Sequence, residues 1–249
     1  MEAASTTHLG ILNAVLGLAA LVASVSGFGY ALVAVPLLVV LLPPLQLLPV
    51  VLISWIPLAL VLIAQSWRHL NPRRLLRLLA GALLGAPVGL WLLSSLAEGS
   101  MRSVIGGITL LAAGSLVVRP GRPFAREGPP LLAAGLAGGI MGGASGISGP
   151  PIVLLGLKQG WEPRGFRVDL LCFFLLLHSS VAAGLGGMGL LSAGTLVLSL
   201  AVLPGVFLGF AAGMKLRRHI DAGMYRRLAV LLVVAGGIWA LLSPFTEDL

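Results

Sequence analysis

The chain has 249 residues, 58% of them hydrophobic and 10% charged, with a mean hydropathy of +1.05. No water-soluble domain of this length has that composition, so the class expected is an all-α polytopic membrane protein in a lipid bilayer. The net charge of +8 points to arginine-rich loops rather than to a nucleic-acid partner, and the single Cys172 excludes an internal disulfide or a Cys-based metal site.

In chain order, the N-terminal "MEAASTTH" has an acid and no Lys or Arg, so it lacks the basic start of a cleavable signal peptide. Apolar segments follow at 9–43, 45–67, 73–96, 101–118, 129–157, 168–186, 190–214 and 226–243. The cations lie between them. Arg68, Arg73, Arg74 and Arg77 form one group, and Arg119, Arg122 and Arg126 a second. Lys158, Arg164 and Arg167 form a third, and Lys215, Arg217, Arg218, Arg226 and Arg227 a fourth; Arg102 stands alone. If all eight segments crossed the bilayer, the positive charges would divide nine to seven. Membrane proteins instead concentrate Lys and Arg in cytoplasmic loops. If segment 129–157 enters and leaves on one side, fifteen cations share that side and only Arg102 faces the other. Both termini, including the acidic "TEDL", are expected to face out.

That segment carries "GGASGISGPP" at Gly142–Pro151, a run that breaks a helix. The expectation is a re-entrant hairpin with this run at its tip. Gly-Pro-Pro suits the start of a second helical arm, because proline at the first helical position sacrifices no bonded N–H. The free N–H groups and positive dipole end at such a start form an anion site. Ser145 and Ser148 add hydroxyls, and Gly143, Gly146 and Gly149 let backbone approach a ligand.

The halves also resemble each other. Gly81, Gly85 and Gly89 match Gly205, Gly209 and Gly213 in spacing; Glu98, Met101 and Gly114 match Asp221, Met224 and Gly237. "SGFGYALVAVPLL" in the first half faces "MGGASGISGPPIVLL" in the second. Two inverted repeats are expected, each a broken or re-entrant helical segment followed by three transmembrane helices: residues 1–118 and 129–249, joined by a linker at 119–128. Paired broken helices in inverted repeats mark transporters, with the site at the repeat interface. Ser26, Gly27, Phe28, Gly29 and Tyr30 would form the tip in the first half. The glycines spaced by four are expected to pack helices instead.

His178 lies mid-span beside Ser179 and Ser180, and is a candidate to donate to an anion or carry a coupled proton. Asp169 is expected to pair with Arg167 or Arg164. Trp67, Trp91 and Trp161 are expected at the membrane interface.

The two Gly-rich breaks followed by proline, with "LPGVFLGFAAGMKL" and "RRLAVLLVVAGGIWAL", resemble the sulfite exporter TauE/SafE family over nearly the whole chain. The resemblance implies transport of a small anion such as sulfite or an organosulfonate across a bacterial or archaeal inner membrane, with the site at the two breaks. It departs at Phe28, Gly29, Tyr30 and Ala31, where the commoner pattern has a glycine run. The substrate, the direction of transport, a coupling proton or sodium ion and a homodimer stay open. No cofactor or metal is expected. A passive anion channel is the nearer alternative. An intramembrane serine protease, with Ser145 in "GASG" and His178 as base, is the more distant one.

Overall fold

The computed structural model describes residues 6–117, 121–216, 231 and 233–242. The expectations for Arg119, Asp221, Met224, the cations from Arg217 to Arg227 and both chain ends lie outside these residues. The described residues form helices joined by turns and short loops, without strands. In order they are α1 (Thr6–Ser26), α2 (Tyr30–Leu38), α3 (Pro44–Ala64), α4 (Pro72–Ser95), α5 (Glu98–Val117) and α6 (Gly128–Ser145). Then come α7 (Pro150–Gln159), α8 (Pro163–Gly187), α9 (Ala193–Ala201), α10 (Leu203–Leu216) and α11 (Val233–Leu242). Among the described residues, five stretches are long and apolar enough to cross a membrane: His8–Val25, Pro44–Ala64, Pro72–Ser95, Pro163–Gly187 and Ala193–Leu216.

Local chemistry sets the helix starts. Pro44, Pro72 and Pro163 each begin a helix where the missing N–H had no partner to lose. Asn71 caps α4 through the Arg74 N–H, Glu162 caps α8 through the N–H groups of Arg164 and Gly165, and Ser192 caps α9 through Thr195. Segment 190–214, expected to be one span, is interrupted at Val202, just before Pro204. Asn13 of α1 repairs that interruption. Its Nδ2 donates to the Ala201 carbonyl at 3.2 Å, and its Oδ1 accepts the Gly205 N–H at 2.8 Å. Backbone freed inside a membrane must be satisfied by a neighbour, and here one amide serves both sides of the break.

The spaced glycines pack helices, as expected. A Cβ at Gly81, Gly85 or Gly89 of α4 would run into backbone of Leu132, Leu136 or Ile140 in α6. A Cβ at Gly205, Gly209 or Gly213 of α10 would meet backbone of Asn13, Gly17 or Leu21 in α1. Both series advance four residues at a time on both partners. A first-half helix thus packs on the second broken segment, and a second-half helix on the first. Without a hydrophobic force between helices in lipid, such close backbone approach supplies the dispersion contact that joins them. Large apolar side chains such as Leu84, Leu111 and Leu208 point outward, as lipid-facing residues do.

The second broken segment turns back on itself. After Gly146, at φ 75°, the chain folds against α6: a Cβ at Gly138 or Gly142 would strike Ser148. Helix α6 has 18 residues, about 27 Å at 1.5 Å per residue, and α7 has 10. The two ends of this hairpin meet. Gln159 Oε1 accepts the Phe124 N–H at 2.6 Å, and Trp161 Nε1 donates to Glu127 at 2.9 Å. A segment crossing the membrane would hold Phe124 and Gln159 a bilayer apart.

The same end of the bundle holds a polar cluster that corrects one expectation. Asp169, buried on α8, pairs with Arg74 Nη1 at 2.7 Å and accepts the Asn71 N–H at 2.8 Å, rather than pairing with Arg167 or Arg164. The reason is reach: α4 begins beside that carboxylate, whereas Arg167 Nη2 is directed to the Ser24 carbonyl at 2.9 Å. Trp67 and Trp91 are exposed, whereas Trp161 is half-buried. The Arg74 guanidinium lies 3.9 Å from its ring centre, and Phe166 packs edge-on to it. Arg102 is buried and held by Glu98 at 2.6 Å.

Candidate functional site

Each broken segment restarts as a helix facing the same space. Gly29, at φ 97°, precedes α2 in a left-handed conformation that a side chain would strain, and Gly146 does the same at the end of α6. Between the restarts lies a small cavity of about 30 Å³. Its wall is Phe28–Leu32 from the first break and Gly146–Pro150 from the second, completed by Trp55, Ala112, Ser115, Val153, Phe174 and His178. Four of these side chains are polar beyond the indole, namely Tyr30, Ser115, Ser148 and His178, and none is a carboxylate, lysine or arginine.

The donors differ between the two sides. At the start of α2 the N–H groups of Tyr30, Ala31 and Leu32 precede the first intrahelical bond, which Val33 makes to Gly29. At the start of α7 two prolines occupy the first positions, so that arm offers fewer N–H groups. Side chains stand there instead. Ser148 Oγ lies 3.3 Å from His178 Nε2, both residues are buried, and the imidazole stacks on Phe174 at 5.7 Å. His178 Nδ1 is buried without a hydrogen-bond partner. At the first break the Tyr30 hydroxyl is 2.8 Å from Ser54 Oγ, and its ring lies 5.3 Å from that of Trp55.

Of the residues expected at the site, Phe28, Gly29, Tyr30, Gly146, Ser148, Gly149 and His178 line this cavity together. The others stand elsewhere. Gly143 faces α4, where a Cβ would meet Ala86 backbone, so its smallness serves helix packing. Ser145 Oγ donates to the Met141 carbonyl and accepts the Ile147 N–H, which closes the turn and occupies the hydroxyl. Gly27 lies under the Arg167 side chain, and Ser26 ends α1. Sequence reasoning missed Trp55, Ser115 and Phe174. Trp55 carried a usable signal: it sits midway along Pro44–Ala64, far from the interfaces where membrane tryptophans collect.

These features define a multi-pass helical membrane protein in which two interrupted helices face one cavity, an arrangement in which transporters place their substrate sites. The comparison with protein families is more particular. The model described as "Sulfite exporter TauE/SafE" matches residues 12–240, and the chain belongs to that family. Among curated proteins it is 24% identical over 246 residues to the "Probable sulfite/organosulfonate exporter TauE" of Cupriavidus necator, covering 94% of both chains. It is 27% identical over 177 residues to the "Probable inner membrane transporter protein TsaS" of Comamonas testosteroni, covering 70% of this chain and 73% of that one. No solved structure matches the chain. The protein is a membrane transporter and not an enzyme.

Proposed function

We propose that this chain is a secondary transporter that binds a small sulfur-containing oxyanion or organosulfonate between the two helix restarts. It carries the anion across the membrane by alternating access. The observation that carries the reading is the convergence of both breaks on one cavity whose wall has hydrogen-bond donors and no carboxylate. Helix N-termini and hydroxyl or imidazole donors hold an anion without a fixed positive charge, so release costs less than it would from an ion pair. The relatives named as exporters of sulfite and organosulfonates supply the substrate class.

Two inverted repeats, each a broken segment with three further spans, account for the reciprocal glycine contacts of α4 with α6 and of α10 with α1. The helix ends that carry Arg74, Arg77, Lys158 and Arg167 face the cytoplasm by the positive-inside rule. Movement of one repeat against the other then exposes the cavity to each side in turn.

The test is counterflow in proteoliposomes. Vesicles loaded with unlabelled sulfoacetate or sulfite should accumulate labelled anion transiently, and Ser148→Ala should slow this. A passive channel gives no counterflow overshoot. Absence of movement of both anions in the wild type would remove the reading.

A further inference from the structure

The Trp55 side chain is 1% exposed, borders the cavity, and its Nε1 has no hydrogen-bond partner. An indole N–H only donates, so nothing but an acceptor can satisfy it. Buried donors are seldom left unmade in folded proteins, and one beside an interior cavity calls for an occupant. Its neighbours offer no relief. The nearby Tyr30 hydroxyl is engaged with Ser54, and Ser54 Oγ is 3.3 Å from the Val51 carbonyl. The Tyr30 ring lies against the indole, so the pair holds its orientation without consuming the N–H. Tyr30 is also the first residue of α2, which sets the indole beside that helix start.

The wall around Ser148 has a hydroxyl and an imidazole, while the wall around α2 has no side-chain donor of that kind free of a protein partner except Trp55. We infer that Trp55 is a substrate-binding residue whose indole N–H donates to an oxygen of the transported anion, opposite the Ser148–His178 pair. This rests on the transport reading of the cavity. It adds that the anion is gripped from both halves of the chain, so losing either grip weakens binding.

The experiment uses the full chain in detergent micelles, with sulfoacetate and sulfite as probes and binding followed by intrinsic tryptophan fluorescence and by ligand-induced thermal shift. Trp55→Phe removes the N–H and keeps an aromatic ring. Replacement of the chain's tryptophans by benzothienylalanine keeps the shape of the indole and removes only the N–H; in that protein binding is followed by thermal shift. Both proteins should bind the probe that the wild type binds about tenfold more weakly or worse, the usual effect of losing a hydrogen bond to a charged group. Circular dichroism without ligand checks that both proteins are folded, since Trp55→Phe shrinks a buried side chain and the full replacement also removes the Trp161–Glu127 hydrogen bond. Retention of wild-type affinity within twofold by either protein overturns the role of Trp55 and leaves the transport reading intact. A wild type that binds neither anion overturns both.

Discussion

Truncation of Asp169 tests how the bundle is tied together. Its carboxylate is 1% exposed and receives two hydrogen bonds, from Arg74 Nη1 at 2.7 Å and from the Asn71 N–H at 2.8 Å. Arg74 is itself only 15% exposed and has Trp161 on its other face. Asp169→Ala leaves this guanidinium buried without its counter-ion and orphans the N–H at the start of α4. Removing one partner of a buried pair costs about 3–5 kcal/mol. For a chain of this size that lowers the melting temperature by about 6–20 °C. Asp169→Asn keeps an acceptor for Asn71 and should lose less. The double variant Arg74→Met with Asp169→Leu should recover much of the loss, because replacing both charges by apolar groups removes their desolvation cost. Melting of the purified protein in detergent, followed by circular dichroism, ranks the four proteins. Should Asp169→Ala melt with the wild type, or the double variant melt no higher than Asp169→Ala, the pair does not join α4 to α8 as argued.

Gly85→Leu and Gly209→Leu should each destabilise by at least about 1–3 kcal/mol, seen as lower melting temperatures, because both side chains would have to displace backbone of the partner helix. Gly107→Leu, where a Cβ meets nothing, is the neutral control. Ser148→Ala and His178→Ala should reduce anion binding more than Ser145→Ala does, since the Ser145 hydroxyl is occupied by its own turn; isothermal titration with sulfite decides the order. Glu162 accepts the N–H groups of Gly165 and Arg164, which hold its carboxyl below the usual value of 4.5. Its cap on α8 is therefore intact above that value and is lost as pH falls through the lowered one. Exchange of the Arg164 and Gly165 amides should show protection at pH 6 that Glu162→Ala lacks, with the two proteins converging only below pH 4.5.

How much of this was legible in the sequence follows from the range of each interaction. The breaks at 27–29 and 146–149 were readable because Gly and Pro act on their own backbone wherever they stand. The hairpin was readable because charge distribution reports which loops share a side; the meeting of Phe124 with Gln159 agrees with that count. Glycines at four-residue intervals marked packing faces, but not which helix each would face. Within the second break local chemistry did not separate the roles. Ser145 and Ser148 are three residues apart in one motif, and only the turn's own hydrogen bonds commit the first to structure and leave the second to the cavity.

Taken alone, the sequence determined the membrane class, the two helix breaks and the resemblance to the exporter family, and set the expectation of a hairpin at 129–157, all of which rest on composition or on neighbours along the chain. Tertiary structure decided that Asp169 takes Arg74 rather than its near neighbours. It also decided that Gly143 serves packing and that Trp55, remote from both motifs, stands at the cavity. Those outcomes depend on which helices touch, and a side chain buried in a membrane bundle finds its partner across helices rather than along its own.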